Sequence, residues 1–318
     1  MSLPVIEALG ALPSPLRALI VGGTAGIGLG VAQQLSSSLP TAHITISGRN
    51  TAVASQICSE ATHRNLHFKR LDASLMSAVK VFCEELSRDP SPKQHQLNLL
   101  VMSQGILSAS YSPTVEGIDM TLALNYYSRM YLIRQLIATN TLAPNAIIIS
   151  VHNGKVGDPS GSTILWDDMD LSRTSSSMTA IFNIGKILKH NFSMNDIMLS
   201  DLATGSKRTI IHSYPGFVRT DIMQNSNFPG FIKWIMSARG ENPNAVSPEV
   251  EGGRMLVGSV RCWDKTAETG QVMFYMDEMG EEIKKVESSE DVRRRVREHT
   301  WERVEKAVAT GETHEAKR

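Results

Sequence analysis

Short apolar runs rich in β-branched residues alternate along the chain with segments whose apolar residues recur every third or fourth position. The first run, Ala18-Leu-Ile-Val21, stops at Gly22-Gly23, and Gly26 and Gly28 follow as helical spacing sets in over 27–39. That pattern predicts a buried strand, a tight turn and the start of a helix. Beyond it, strands are predicted over 42–47, 66–71, 97–102, 146–150, 209–213 and 271–275. Helices are predicted over 51–63, 75–86, 117–139, 179–203 and 247–260, and the charged tail over 281–310 is expected to be helical. Residues 89–93 and the Gly-, Ser- and Asp-rich 151–177 read as loops. Strands alternating with helices at this pitch imply an α/β fold, a doubly wound parallel sheet with helices on both faces. A single domain over 17–280 is expected, preceded by an extension at 1–16 and followed by a helical extension at 281–318.

Composition narrows the class. With 42% hydrophobic and 20% charged residues in 318, the chain has the make-up of a globular enzyme with a substantial core. Its 32 Lys and Arg balance 32 Asp and Glu, so no global field draws it to nucleic acid or acidic lipid. Cys58, Cys83 and Cys262 form no CxxC and read as reduced structural thiols of a cytoplasmic protein. The first fifteen residues lack a basic region followed by an apolar core, and no apolar run approaches a membrane span.

The glycine turn carries the first chemistry. Glycines let a backbone approach a pyrophosphate, and the amides and dipole of the following helix favour its charge. In a parallel sheet of this kind the end of the first strand is where a nucleotide binds. About 20 residues past the turn, where NAD-binding chains place an acid on the ribose, the sequence reads Gly48-Arg49-Asn50. Arginine is a planar donor suited to a 2′-phosphate, so NADP is expected rather than NAD. The plain alternatives are an ordinary turn and a solvated loop charge.

Val21-Gly22-Gly-Thr24-Ala-Gly26-Ile27-Gly28 resembles the TGxxxGIG turn of the short-chain dehydrogenases/reductases, with Val21 in place of the usual Thr. Arg49, Asp72, Ser103-Gln-Gly105, Asn125 and Pro215-Gly-Phe-Val218-Arg-Thr220 follow in the family's order. Asn125-Tyr-Tyr-Ser-Arg-Met130 and Asp167-Asp-Met-Asp170 resemble a divergent branch common in fungal secondary metabolism. The resemblance implies a Rossmann-like three-layer sandwich. It also implies a cofactor site built from Gly22, Thr24, Gly26, Ile27, Gly28, Arg49, Asp72, Ser103, Gly105, Lys186, Val218 and Thr220. Asp72 would hold the adenine amino group, or cap the helix after it. Val218 and Thr220 would meet the nicotinamide amide. A homodimer or homotetramer, paired through the helices after the fourth and fifth strands, is also implied.

The catalytic set that the resemblance implies is incomplete. Family members use an Asn, a Ser and a Tyr-x-x-x-Lys whose spacing puts both side chains on one helix face. Here Asn125, Ser150 and Lys186 fill three places, and Phe182 of Phe182-Asn-Ile-Gly-Lys186 stands where the tyrosine belongs. Phe182 has no hydroxyl and cannot be a general acid, a group worth about 10²–10⁴ in rate. Ser150 falls one place early against the usual Ser-Ser pair. His152, Lys155, Tyr126 and Tyr127 are candidate substitutes, and His152 attracts most because its ordinary pKa lies near neutrality. Asp167, Asp168 and Asp170 lack nearby histidines and read as a solvated loop, with no metal expected. The patch Phe228-Pro-Gly-Phe-Ile-Lys-Trp-Ile-Met236 falls in a substrate lid expected around 222–245, and suits a greasy substrate. The expected function is an NADP-dependent oxidoreductase acting on a carbonyl or alcohol of a small hydrophobic, polyketide- or terpenoid-like secondary metabolite. The alternatives are a non-redox isomerisation, cyclisation or dehydration on the same fold, or a non-enzymatic NADP-binding protein.

Overall fold

A computed structural model describes residues 3–88, 96–108, 110–175, 180–220 and 243–315. Its centre is one eight-stranded sheet in the order β3-β2-β1-β4-β5-β6-β7-β8. The strands are β1 (Arg17–Val21), β2 (His43–Gly48), β3 (Leu66–Arg70), β4 (Leu97–Met102), β5 (Leu142–Val151), β6 (Thr209–Ser213), β7 (Met273–Met276) and β8 (Glu282–Ile283). β1 to β7 pair in parallel, and β8 closes the edge antiparallel to β7. The central strands are apolar on both faces because helices cover both, which is why they read as continuous runs. The order reverses at β1, between β2 and β4, so the sheet is doubly wound.

Alternate residues of each strand feed two cores. Ala18, Ile20, Ile44, Leu99, Ile147 and Ile211 face α2 (Gly26–Ser38), α8 (Pro248–Thr269) and α1 (Leu3–Ala11). Leu19, Leu100, Ile148 and Ile210 face α4 (Met76–Arg88), α6 (Ser128–Ala138), α7 (Ala180–Ala203) and α9 (Glu290–Glu315). α3 (Thr51–Glu60) sits between β2 and β3, its first turn capped by Asn50, which accepts from the Val53 amide. Gly30 and Gly252 let α2 and α8 touch backbone to backbone, since a Cβ on Gly252 would lie 2.9 Å from the Val31 nitrogen.

Three elements differ from their expectation. The segment 1–16 carries a helix, α1, whose Leu9 is buried in the second core together with Leu12 just beyond it. Residues 281–315 pack into the molecule. Glu282–Ile283 form β8, and Val296, Val304 and Ala307 of α9 are fully buried in the first core. The long helix expected over 117–139 opens with the short α5 (Met120–Leu122), widens into a π turn over Ala123–Tyr127 and only then becomes α6. In that turn the Ser128 amide reaches back five residues to the Ala123 carbonyl.

Candidate active site

The glycine turn shapes a cleft of about 350 Å³ at the carboxyl ends of β1, β2 and β4. Its walls bring together eight of the residues expected there: Gly22, Thr24, Gly26, Ile27, Arg49, Ser103, Gly105 and Thr220. Gly22 (φ +82°) and Gly26 (φ +53°) adopt backbone angles that favour glycine. A Cβ on Gly22 would lie 2.6 Å from the Gln104 nitrogen, so that position also needs glycine for space. Gly28 lies outside the cleft wall and packs under it, where a Cβ would overlap Ser103 Oγ. Ala25 precedes α2 without a side-chain cap, so no side chain from that position takes the amides of the first turn. Exposed Arg49 brings a cation to the same cleft from the end of β2. A glycine cradle, uncapped amides and a guanidinium fit a dinucleotide phosphate chain.

Other expected residues have different surroundings. Asp72 accepts from the Ser74 amide (3.1 Å) and hydroxyl (2.6 Å), the local cap. Val218 bridges to Val246 in parallel and lies outside the cleft wall. Asn125 spends its amide on the Ile106 backbone, accepting at 3.0 Å and donating at 2.9 Å, and so fixes the loop after β4. Its carbonyl, in the π turn, accepts from Asn195 Nδ2 at 3.0 Å. Ser150 is fully buried and its hydroxyl accepts from Arg129 Nη1 at 2.9 Å, beneath the strand end. Even-numbered positions of β5 face α6 and α7, which is why Ser150 points inward.

α7 presents an unexpected face. Phe192 stacks edge-on against His152, with ring centroids 4.6 Å apart, and Asn195 reaches the π turn. Lys186 stands nine residues before Asn195, about half a turn out of phase at roughly 100° per residue, and is exposed with no hydrogen bond or ion pair to the described residues. Leu188, four residues before Phe192, shares its stripe. Phe182 belongs to the backbone of α7, but its side chain lies outside the described residues, as does the whole patch 228–236.

The candidate substitutes separate. Tyr126 is fully buried on Thr300 Oγ1 at 2.5 Å, and burial pushes its hydroxyl far up the scale. Tyr127 bonds His299 and Asp170, and burial pushes it up likewise. Both hydroxyls face α9 rather than the cleft. Lys155 pairs with Glu278 on the surface. Asp168 caps its own loop through Thr174, and Asp170 pairs with Arg303; no acid–histidine cluster among the described residues could hold a metal ion. His152 follows β5 directly, its Nδ1 buried without a partner among the described residues, and burial together with Arg129 holds its pKa well below the ordinary value.

Two buried groups have no sequence motif. His212 Nδ1 lies 2.5 Å from Asp196 Oδ1, and Asp196 Oδ2 accepts from Lys285 Nζ at 2.6 Å. Burial outweighs Asp196 and lowers the His212 pKa, so the ring is neutral and donates to the carboxylate. Arg129 donates to the carbonyls of Met102, Gln104 and Val151 as well as to Ser150, tying the ends of β4 and β5 together. The only signal for Arg129 or Asp196 in the sequence is a charge inside an otherwise apolar helical stripe.

No family model matches the sequence. The chain is 36% identical over 241 residues to the oxidoreductase AN1596 of Emericella nidulans, covering 72% of this chain and 67% of that one. It is 30% identical over 240 residues to the short-chain dehydrogenase/reductase SAT2 of Stachybotrys chartarum, covering 68% and 65%. The match thus spans about two thirds of the length of these relatives. Among solved structures, an NADPH-bound carbonyl reductase from chicken fatty liver superimposes with a TM-score of 0.56 over 84% of this chain and 98% of that one. Its identity is 17%, so this likeness concerns the fold.

Proposed function

The chain belongs to the short-chain dehydrogenase/reductase family, and from that premise we propose an NADP-dependent oxidoreductase acting on a carbonyl or alcohol of a hydrophobic metabolite. One observation carries the reading: the cleft that joins the glycine cradle to Arg49, with no acid among the described residues of its wall. Gly22, Thr24, Gly26 and Ile27 would hold the pyrophosphate, and Arg49 the 2′-phosphate. Ser103, Gly105 and Thr220 line the same cleft, with Ile106 and Leu124 adding apolar surface for a greasy substrate. The nicotinamide, when bound, supplies or accepts the hydride. Polyketide- and terpenoid-like secondary metabolites fit the apolar composition of 228–236.

The chain's own groups orient rather than donate at most positions. Asn125 holds the loop after β4, and Arg129 holds the ends of β4 and β5. His152, which follows β5 and lies outside the cleft wall, would act as a neutral ring donor to a substrate oxygen that reaches past that wall. A second reading stays beside the first because neither Phe182 nor Leu188 carries a hydroxyl. On it the cleft binds NADP while the substrate undergoes isomerisation, cyclisation or dehydration. Incubation with NADPH and a panel of apolar ketones, following absorbance at the reduced-nicotinamide band beside product mass, separates the two. Loss of absorbance matched by alcohol formation supports the oxidoreductase; product without NADPH consumption overturns it.

A further inference from the structure

Arg129 is a buried cation with no anion beside it. Its side chain is 1% exposed, and no carboxylate among the described residues pairs with it. Instead it donates to neutral oxygens: Leu124 O at 3.4 Å, Met102 O at 3.1 Å, Gln104 O at 2.5 Å, Val151 O at 2.9 Å and Ser150 Oγ at 2.9 Å. A clamp of this kind needs donors, yet it does not need a net charge. Burying an unpaired charge is costly, and here burial pulls the guanidinium pKa down to about 9, which still leaves it charged at neutral pH.

The charge lies against the cleft floor. A Cβ on Gly105 would stand 3.7 Å from Arg129 Nη2, and both Gly105 and Gln104 line the cleft. With a 2′-phosphate at Arg49 after β2, the far end of a bound dinucleotide would run across β1 toward Gly105 and Ile106 after β4. The oxidised nicotinamide ring carries a positive charge and the reduced ring carries none. In a medium of low dielectric a fixed cation beneath that end disfavours the charged ring and leaves the neutral one unaffected.

We propose that Arg129 makes the cleft selective for the reduced cofactor, so that the chain binds NADPH more tightly than NADP+. This inference rests on the functional reading above, because it presupposes that the cleft takes a nicotinamide dinucleotide. It assigns Arg129 the role of a specificity-determining residue acting through charge, beyond the strand clamp that its hydrogen bonds describe.

The test is calorimetric binding of NADPH, NADP+ and 2′-phospho-ADP-ribose, which lacks the ring, to the wild type, Arg129→Lys and Arg129→Gln. The wild type is expected to favour NADPH over NADP+ by about tenfold. Arg129→Lys keeps the preference and Arg129→Gln loses it, while 2′-phospho-ADP-ribose binds all three alike. Equal affinity of the wild type for the two cofactors overturns the proposal without any variant. So does an unchanged ratio in a folded Arg129→Gln, or a uniform loss of all three ligands there, which would mark Arg129 as structural alone. A wild type that binds none of the three ligands overturns the functional reading itself, and this inference with it. Binding of 2′-phospho-ADP-ribose with no preference between the cofactors spares that reading and overturns only this one.

Discussion

Arg49 and Gly105 show how single residues define the cleft. Arg49 is exposed, and its guanidinium is available to a phosphate. Arg49→Ala is expected to weaken NADPH about 10- to 100-fold and to leave NADH unchanged, the loss of one charge-assisted contact. Titration of both cofactors decides it, and an unchanged NADPH-to-NADH ratio contradicts the assignment. Lys186 lies out of phase with the α7 residue Asn195 that reaches the π turn, so Lys186→Ala is expected to keep NADPH affinity within about twofold. A loss of tenfold or more would bring the lysine back into the site.

At the scale of elements, long-range contacts hold what local signals leave open. α4 begins with no capping side chain of its own; Glu116, 40 residues later, accepts from the Met76 and Ser77 amides. The carboxylate favours the positive end of the helix and satisfies its orphan donors. Glu116→Ala should therefore destabilise by about 1–2 kcal/mol in urea unfolding with an unchanged slope. His190 similarly binds the loop after β5 to α7. It accepts from the Leu165 amide at Nδ1 and donates from Nε2 to the Met169 carbonyl, which fixes the neutral ring. Burial lowers its pKa to about 4, so between the ordinary value near 6.5 and 4 the unfolded chain binds more protons than the folded one. Stability from His190 is thus present near neutrality and lost as pH falls through that window. Hydrogen exchange across 161–171 should quicken from pH 6.5 to 4.5 beyond the intrinsic rate, and His190→Gln should flatten the change.

For the whole molecule, Glu251 sets the opposite slope. Buried on α8 with an unpartnered Oε2, its carboxyl is pushed up to about 8 by desolvation. From about 4.5 to 8 the folded chain holds a proton that the unfolded chain has lost, so stability falls as pH rises through that range. Glu251→Gln is expected to raise Tm more at pH 8 than at pH 5; an equal gain at both would deny the charge effect. The outer face of α6 and α7 is also spoken for. α9 lies across it with Trp301 against Arg134 and Arg297 paired to Asp201, and its Val304 and Ala307 complete the core. A pairing of two chains on this side would have to form over that helix.

Much of this architecture follows from the order of residues alone. Periods of two and of three to four, broken by glycine, determined β4 and β6 to the residue, the start of α3 and the glycine cradle, because these depend on neighbours in sequence. Arg49 was legible for the same reason, since its place is counted from the turn. The face of α7 that meets His152 was not, because Phe182–Lys186 and Leu188–Phe192 have the same i, i+4 spacing and only the fold brings Phe192 to that ring. The π turn, the inward Ser150 and the unpaired charge of Arg129 were equally invisible. Each depends on which carbonyls and carboxylates come near in space, and a lone polar residue in an apolar stripe does not say what it will meet. Sequence determined where a dinucleotide can lie; the tertiary structure decided which side chains surround it, because burial and charge are properties of neighbours that the chain acquires by folding.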